Sequence, residues 1–119
     1  MTELRLNAYH IMWLFVFFDL PVLTKRERKD AATFRKNLER DGFSMMQYSV
    51  YIRHCASRES LDVHIRRVKA LIPPSGRVSL LAVTDKQYGR MINFWGKPRS
   101  ANSKIDKKNI SQPVQLEIF

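Results

Sequence analysis

The residue best placed to do chemistry in this sequence is Asp19. It follows the apolar run Ile11-Met12-Trp13-Leu14-Phe15-Val16-Phe17-Phe18 and precedes Leu20-Pro21. So short and unbroken a run reads as a strand buried on both faces, and its terminal carboxylate is expected close to a low-dielectric core. In isolation Asp19 would serve as a turn or cap ahead of Pro21. If two copies brought their first strands to a twofold axis, two Asp19 carboxylates would converge, and a hard cation such as Mg²⁺ would relieve their repulsion. A cation held in that way activates a water or steadies a phosphate.

No second side chain reads as a committed catalyst. Ser49 lacks a His–Asp partnership and is expected at a strand bend. His54 and His64 belong to the acid–base class, but His64 falls on or beside an amphipathic helix stripe, where packing is the expected role. Cys55 reads as a small apolar residue near a strand end. A single cysteine excludes an intramolecular disulfide and fits a reducing cytoplasm, while His10, His54 and His64 are too scattered for zinc spacing.

The chain carries a formal charge of +10 over 119 residues, which points to nucleic acid or an anionic membrane surface as partner. The basic sets are Lys25, Arg26, Arg28 and Lys29 at a helix start, and Lys97, Arg99, Lys104, Lys107 and Lys108 in the tail. Basic residues at a helix start oppose the macrodipole, so something besides helix stability selects them. On flexible segments they suit phosphate contacts that do not read sequence. The aromatic central-strand motif of RNA-recognition modules is missing. The apolar run falls well short of the roughly 20 residues a bilayer span needs, and Asp19-Leu20-Pro21 makes a poor signal cleavage site. These features lead to the expectation of a cytoplasmic protein with no membrane partner.

The elements that must position these residues follow from local signals. Thr24-x-x-Glu27 is a capping box, with Ala31, Phe34 and Leu38 at helical spacing and Gly42 where a left-handed residue ends a helix. Phe43 to Cys55 is β-rich, an extended segment either bent or paired on itself near Ser49. Ser57 caps a second helix with the stripe Leu61, Ile65, Val68 and Leu71/Ile72, stopped by Pro73-Pro74. Arg77 to Thr84 is a further strand. Thr84 or Asp85 caps a third helix with Tyr88, Met91, Ile92 and Trp95 on one side, closed by Gly96. Val114 to Phe119 alternates as an edge strand does.

This order predicts an α+β, ferredoxin-like β-α-β-β-α-β domain with an extra C-terminal strand. The expected organisation is an N-terminal extension over 1–10, the domain over 11–96, a basic linker over 97–113 and the edge strand over 114–119. Two helices cover only one face of the sheet, yet the first strand and Val78 to Val83 are apolar on both. A second copy, sheet against sheet about 10 Å apart, would cover the other face, so a homodimer is expected.

The segments Val16-Phe17-Phe18-Asp19-Leu20-Pro21, Arg28-Lys29 to Phe34-Arg35, Asp41-Gly42-Phe43 and Gln47-Tyr48-Ser49-Val50-Tyr51 occur in the order and spacing of a known family. Together with Val83-Thr84-Asp85-Lys86-Gln87-Tyr88 and Met91-Ile92, they resemble the second of the two near-universal CRISPR-associated adaptation proteins, in the form that accompanies type II systems. The resemblance implies a ferredoxin-like homodimer that bridges two dimers of the CRISPR integrase. There it would hold double-stranded prespacer DNA by its backbone during spacer acquisition. Asp19 falls on the family's strand-end aspartate, associated with Mg²⁺ and with nuclease activity on RNA or DNA. Lys25, Arg26 and Arg28, and more loosely Lys97 and Arg99, correspond to its DNA-binding residues.

Two readings follow, a DNA-holding scaffold and a metal-dependent endonuclease centred on Asp19. The scaffold is favoured, because phosphoryl chemistry usually recruits several ligands and a positioned base, and one acidic residue per subunit is a thin inventory.

Overall fold

The computed structural model describes residues 11–96. Its elements are β1 (Met12–Asp19), α1 (Lys25–Arg40), β2 (Ser44–Gln47), β3 (Val50–Cys55), α2 (Arg58–Leu71), β4 (Arg77–Thr84) and α3 (Asp85–Tyr88). The sheet order is β2-β3-β1-β4 with every neighbouring pair antiparallel, the ferredoxin-like arrangement expected from the element order. No helix among the described residues is long and apolar enough to cross a membrane.

The apolar run becomes the central strand because alternation serves both of its faces. Met12, Leu14, Val16 and Phe18 point under the helices and are buried, joined by Tyr51 and Cys55 of β3. From α1 come Ala31, Phe34 and Leu38, and from α2 Leu61, His64 and Val68. Phe18 meets the Phe34 ring edge-on, with centroids 5.1 Å apart. Burying each such large apolar side chain stabilises the fold by about 1.5–3 kcal/mol.

The helix ends follow local chemistry. In α1, Thr24 and Glu27 exchange the reciprocal bonds of a capping box, and Gly42 leaves the helix at φ +93°, a conformation open to glycine at little cost. In α2, Ser57 accepts from the Ser60 amide at 3.0 Å. Ile72 is already extended at φ −64°, ψ 128°, as the residue before a proline tends to be. Tyr48 and Ser49 form the turn between β2 and β3, so of the two expected forms, bent or paired on itself, the segment takes the paired one.

The third helix departs from expectation. Thr84 does cap it, with Gln87 completing the box, but it stops at Tyr88 and Gly89 forms its C-terminal cap. Met91, Ile92 and Trp95 therefore share no helical face. Asp85 and Tyr88 are drawn off toward β1: the Trp13 indole donates to Asp85 Oδ1 at 2.7 Å and stacks on Tyr88 with centroids 3.9 Å apart. Glycine after a single turn removes the incentive to propagate. Contacts divide the chain at Gly89/Arg90, and the described part of the second unit, 90–96, has no helix or strand.

The sheet's other face carries Trp13, Phe15, Phe17 and Asp19 of β1, paired with Val83, Leu81, Ser79 and Arg77 of β4. It is partly covered by the chain itself. Tyr88 packs on Trp13 and approaches Phe15, and Phe15 is buried. Further along, Phe17 is 37% and Leu81 50% exposed. Within one chain, β1 is thus covered on both faces at Phe15, while Phe17 and Asp19 are exposed on the face that the expected second copy would cover.

Candidate functional site

Asp19 closes β1 opposite Arg77, and the amide of the preceding Phe18 donates to the Ser49 carbonyl at 3.1 Å. The carboxylate is exposed rather than set against the core. Alternation gives the reason: Phe18 takes the helix-covered face, so Asp19 is turned to the opposite one. Among the described residues it makes no ion pair or side-chain hydrogen bond.

The backbone around it is held firmly. The Glu27 carboxylate accepts from the amides of Leu23 and Thr24, each at 2.9 Å. Arg28 Nη1 donates to the carbonyls of Val22 and Leu23 at 3.1 and 3.0 Å. Arg28, expected as a phosphate contact, therefore also fastens the loop behind Asp19. From the other side Gly76, at φ +104°, comes so close that a Cβ there would lie 2.6 Å from Leu20 Cδ2 and 2.9 Å from the Asp19 carbonyl.

Lys25, Arg26 and Lys29 are exposed on the first turns of α1. Arg26 approaches Asp30 at 3.7 Å with its side chain 81% exposed, a pairing that adds little and leaves the charge accessible. Lys97 and Arg99 lie outside the described residues, as do the expected N-terminal extension, basic linker and C-terminal edge strand.

A metal at Asp19 was expected to need a second copy, and one chain does not by itself fit such an ion. Mg²⁺ wants an octahedron of oxygens, usually with one or two carboxylates. Here a single carboxylate stands across from an arginine position, and no group of three or more metal-ligating side chains occurs among the described residues.

Three features escaped the sequence reading. The first is a polar clamp between the helices. Asp41, the C-cap of α1, bonds His64 Nδ1 through Oδ2 at 2.7 Å and accepts from Arg67 Nη1 through Oδ1 at 2.9 Å. Burial works to raise the Asp41 pKa, but the hydrogen bonds and charges of His64 and Arg67 outweigh it and hold the carboxyl below its usual range. His64 is 6% exposed, so its expected packing role takes the form of a buried ring hydrogen-bonded to Asp41. The i, i+3 spacing from Leu61 was the available signal. The second is Arg77, facing Asp19, whose only sequence cue is its place directly after the Gly76 turn. The third is the pairing of Arg35 with Tyr48, which no local spacing encodes. Cys55 is fully buried, and burial pushes its thiol pKa up, consistent with the inert apolar role expected.

The family model described as CRISPR associated protein Cas2 matches residues 12–91. The CRISPR-associated endoribonuclease Cas2 of Flavobacterium psychrophilum is 48% identical over 115 residues, which is 97% of this chain and 94% of the relative. Its counterpart in Parvibaculum lavamentivorans is 46% identical over 108 residues, 91% of this chain and all of the relative. A solved structure, described as the crystal structure of Cas2, superposes with a TM-score of 0.51 at 17% identity, covering 77% of this chain and 92% of that one; this is a likeness of fold.

Proposed function

The chain belongs to the CRISPR-associated protein Cas2 family, and from that premise we propose that it acts as a DNA-holding scaffold in spacer acquisition. Two copies join through the open sheet face, bridge integrase dimers, and hold prespacer duplex by its phosphates in the cytoplasm. The observation that carries this reading is the exposed basic turn of α1. Lys25, Arg26 and Lys29 face solvent at the helix end where the macrodipole disfavours them. Arg28 adds to the same surface, and Lys97 and Arg99 are proposed as further phosphate contacts on their charge alone. Half-exposed Leu81 beside Phe17 gives a second copy an apolar surface to cover.

The relatives are named endoribonucleases, and that favours a second reading, a nuclease centred on Asp19. It requires Asp19 from each of two copies to share Mg²⁺, since one chain supplies one carboxylate.

Duplex binding across a salt series separates the two. Replacing Lys25, Arg26 and Lys29 by Glu, with Arg28 left to hold the loop, is expected to weaken binding for all sequences. It should also lower the salt slope by roughly one per lost phosphate contact. Asp19→Ala should leave both binding and spacer acquisition intact. Unchanged duplex affinity in the charge-reversed protein, with Mg²⁺-dependent cleavage abolished by Asp19→Ala, would replace the scaffold by the nuclease.

A further inference from the structure

Arg53 carries hydrogen-bonding capacity that its own chain does not use. Its Nε is the only buried side-chain nitrogen or oxygen among the described residues that lacks a hydrogen-bond partner. Nη1 donates to the Gly42 carbonyl at 3.4 Å, a long bond for a charged donor. The guanidinium pairs with no carboxylate among the described residues. A role at the end of α1 accounts for Nη1 alone, whereas a guanidinium has five N–H donors, and a shielded donor without an acceptor costs free energy.

Arg53 stands opposite Leu14 in the pairing of β3 with β1, so its side chain leaves on the helix-covered side of the sheet. A second copy on the opposite face leaves that side open. β2 begins only at Ser44, opposite Ile52, and beyond that pair a cleft of about 470 Å³ opens between the two segments. Its walls include Gly42, Ser44, Ile52, Arg53, Ala56 and Ser60, and no acidic side chain lines it. Gly42 makes room for the guanidinium, because a Cβ there would overlap Nη1.

The unused Nε and Nη2 share one edge of the planar group, an arrangement that takes both oxygens of a carboxylate. Ser44 and Ser60 add hydroxyl donors, and Ile52 and Ala56 give an apolar wall for the carbon chain that bears the carboxylate. The site lies roughly 17 Å along β1 from Asp19, about five residues at 3.4 Å each. Its guanidinium is recessed, within reach of a slender acidic side chain, whereas the basic turn of α1 that is proposed to meet duplex phosphates is exposed.

We infer that the cleft between the α1–β2 junction and the start of α2 binds a carboxylate, the acidic side chain of a partner protein, on the free edge of the Arg53 guanidinium. This site is separate from duplex holding and does not rest on the scaffold reading.

The test uses the isotopically labelled full chain, with N-acetylaspartate as the probe and magnetic resonance as the readout. The Arg53 Nε–H signal, identified by its loss in Arg53→Lys, is expected to shift saturably. N-acetylasparagine, of similar shape without the charge, should leave it in place. In Arg53→Gln, binding followed at the Ala56 and Ser60 amides should weaken by at least about 10-fold, while duplex affinity stays unchanged. Ser60→Asp provides a variant that keeps Arg53: aspartate suits the first turn of a helix, and its own carboxylate should exclude the probe. No shift with N-acetylaspartate, equal shifts with N-acetylasparagine, or unaltered probe binding in Ser60→Asp overturns the inference. So does a loss of duplex affinity in Arg53→Gln, which would make the cleft a phosphate contact. Failure of the scaffold reading shows up separately, as absent duplex binding by the unaltered protein.

Discussion

Asp19 and Asp41 are both carboxylates at the end of a secondary-structure element, and they have opposite fates. Asp41 is enclosed between His64 and Arg67, each within 2.9 Å, and joins the two helices. Asp19 is exposed, with its backbone held from two sides and its carboxylate unpaired among the described residues. A carboxylate satisfied by its own chain belongs to the fold. One whose backbone is held while its oxygens stay unpaired is available to something outside the chain. The difference lies in which groups the tertiary structure brings within reach, since residue type and position along an element are nearly the same.

The sharpest way to break this comparison is to delete each side chain in turn. Asp41→Ala leaves the buried His64 ring without its partner and should cost about 2–4 kcal/mol in urea unfolding. Asp19→Ala should change stability by less than about 0.5 kcal/mol. Equal losses would mean that Asp19 is as structural as Asp41.

A smaller effect is expected where the Asp19 backbone is held. Gly76→Ala places a methyl against Leu20 and the Asp19 carbonyl at a φ that side chains rarely adopt, and should cost about 1–3 kcal/mol. Amide exchange should quicken in Asp19 and Leu20 before it does in the helices. If protection is lost first at the helix clamp, Gly76 does not govern the Asp19 segment.

The smallest effect separates the two carboxylates by pH. The folded-state pKa of Asp41 is depressed, so its contribution is fully present above the unfolded carboxyl pKa, about 4. It is then lost as pH falls through the lower folded value. His64 and Arg67 are the groups facing it. The stability gap between the unaltered protein and Asp41→Asn should therefore be constant near neutrality and narrow below about pH 4. A gap that stays flat into that acid range would show that the clamp does not depend on the Asp41 charge.

Much of the fold was legible in the chain. The aromatic run, the Thr24–Glu27 capping box and the Pro73-Pro74 stop act within a few residues of one another, and each produced the element expected. Asp19 was legible as a strand end but not in its exposure, which depends on which of two faces Phe18 occupies. The third helix was over-read because Met91 and Ile92 continue a helical spacing whose propagation Gly89 ends.

By itself the sequence determined the order of strands and helices, their caps, the excess of positive charge and the position of a carboxylate after the central strand. These follow from side-chain periodicity and local hydrogen bonding. Only the tertiary structure decided that Asp41 would meet His64 and Arg67 and that Arg35 would clasp Tyr48, and it alone drew Tyr88 onto Trp13. Such pairings join residues far apart in the chain. Asp41 meets its partners because packing two helices against one face of a sheet leaves a buried polar group only the neighbours that the fold delivers to it, while Tyr88 reaches Trp13 on the opposite face because β4 pairs beside β1 and leads directly into α3.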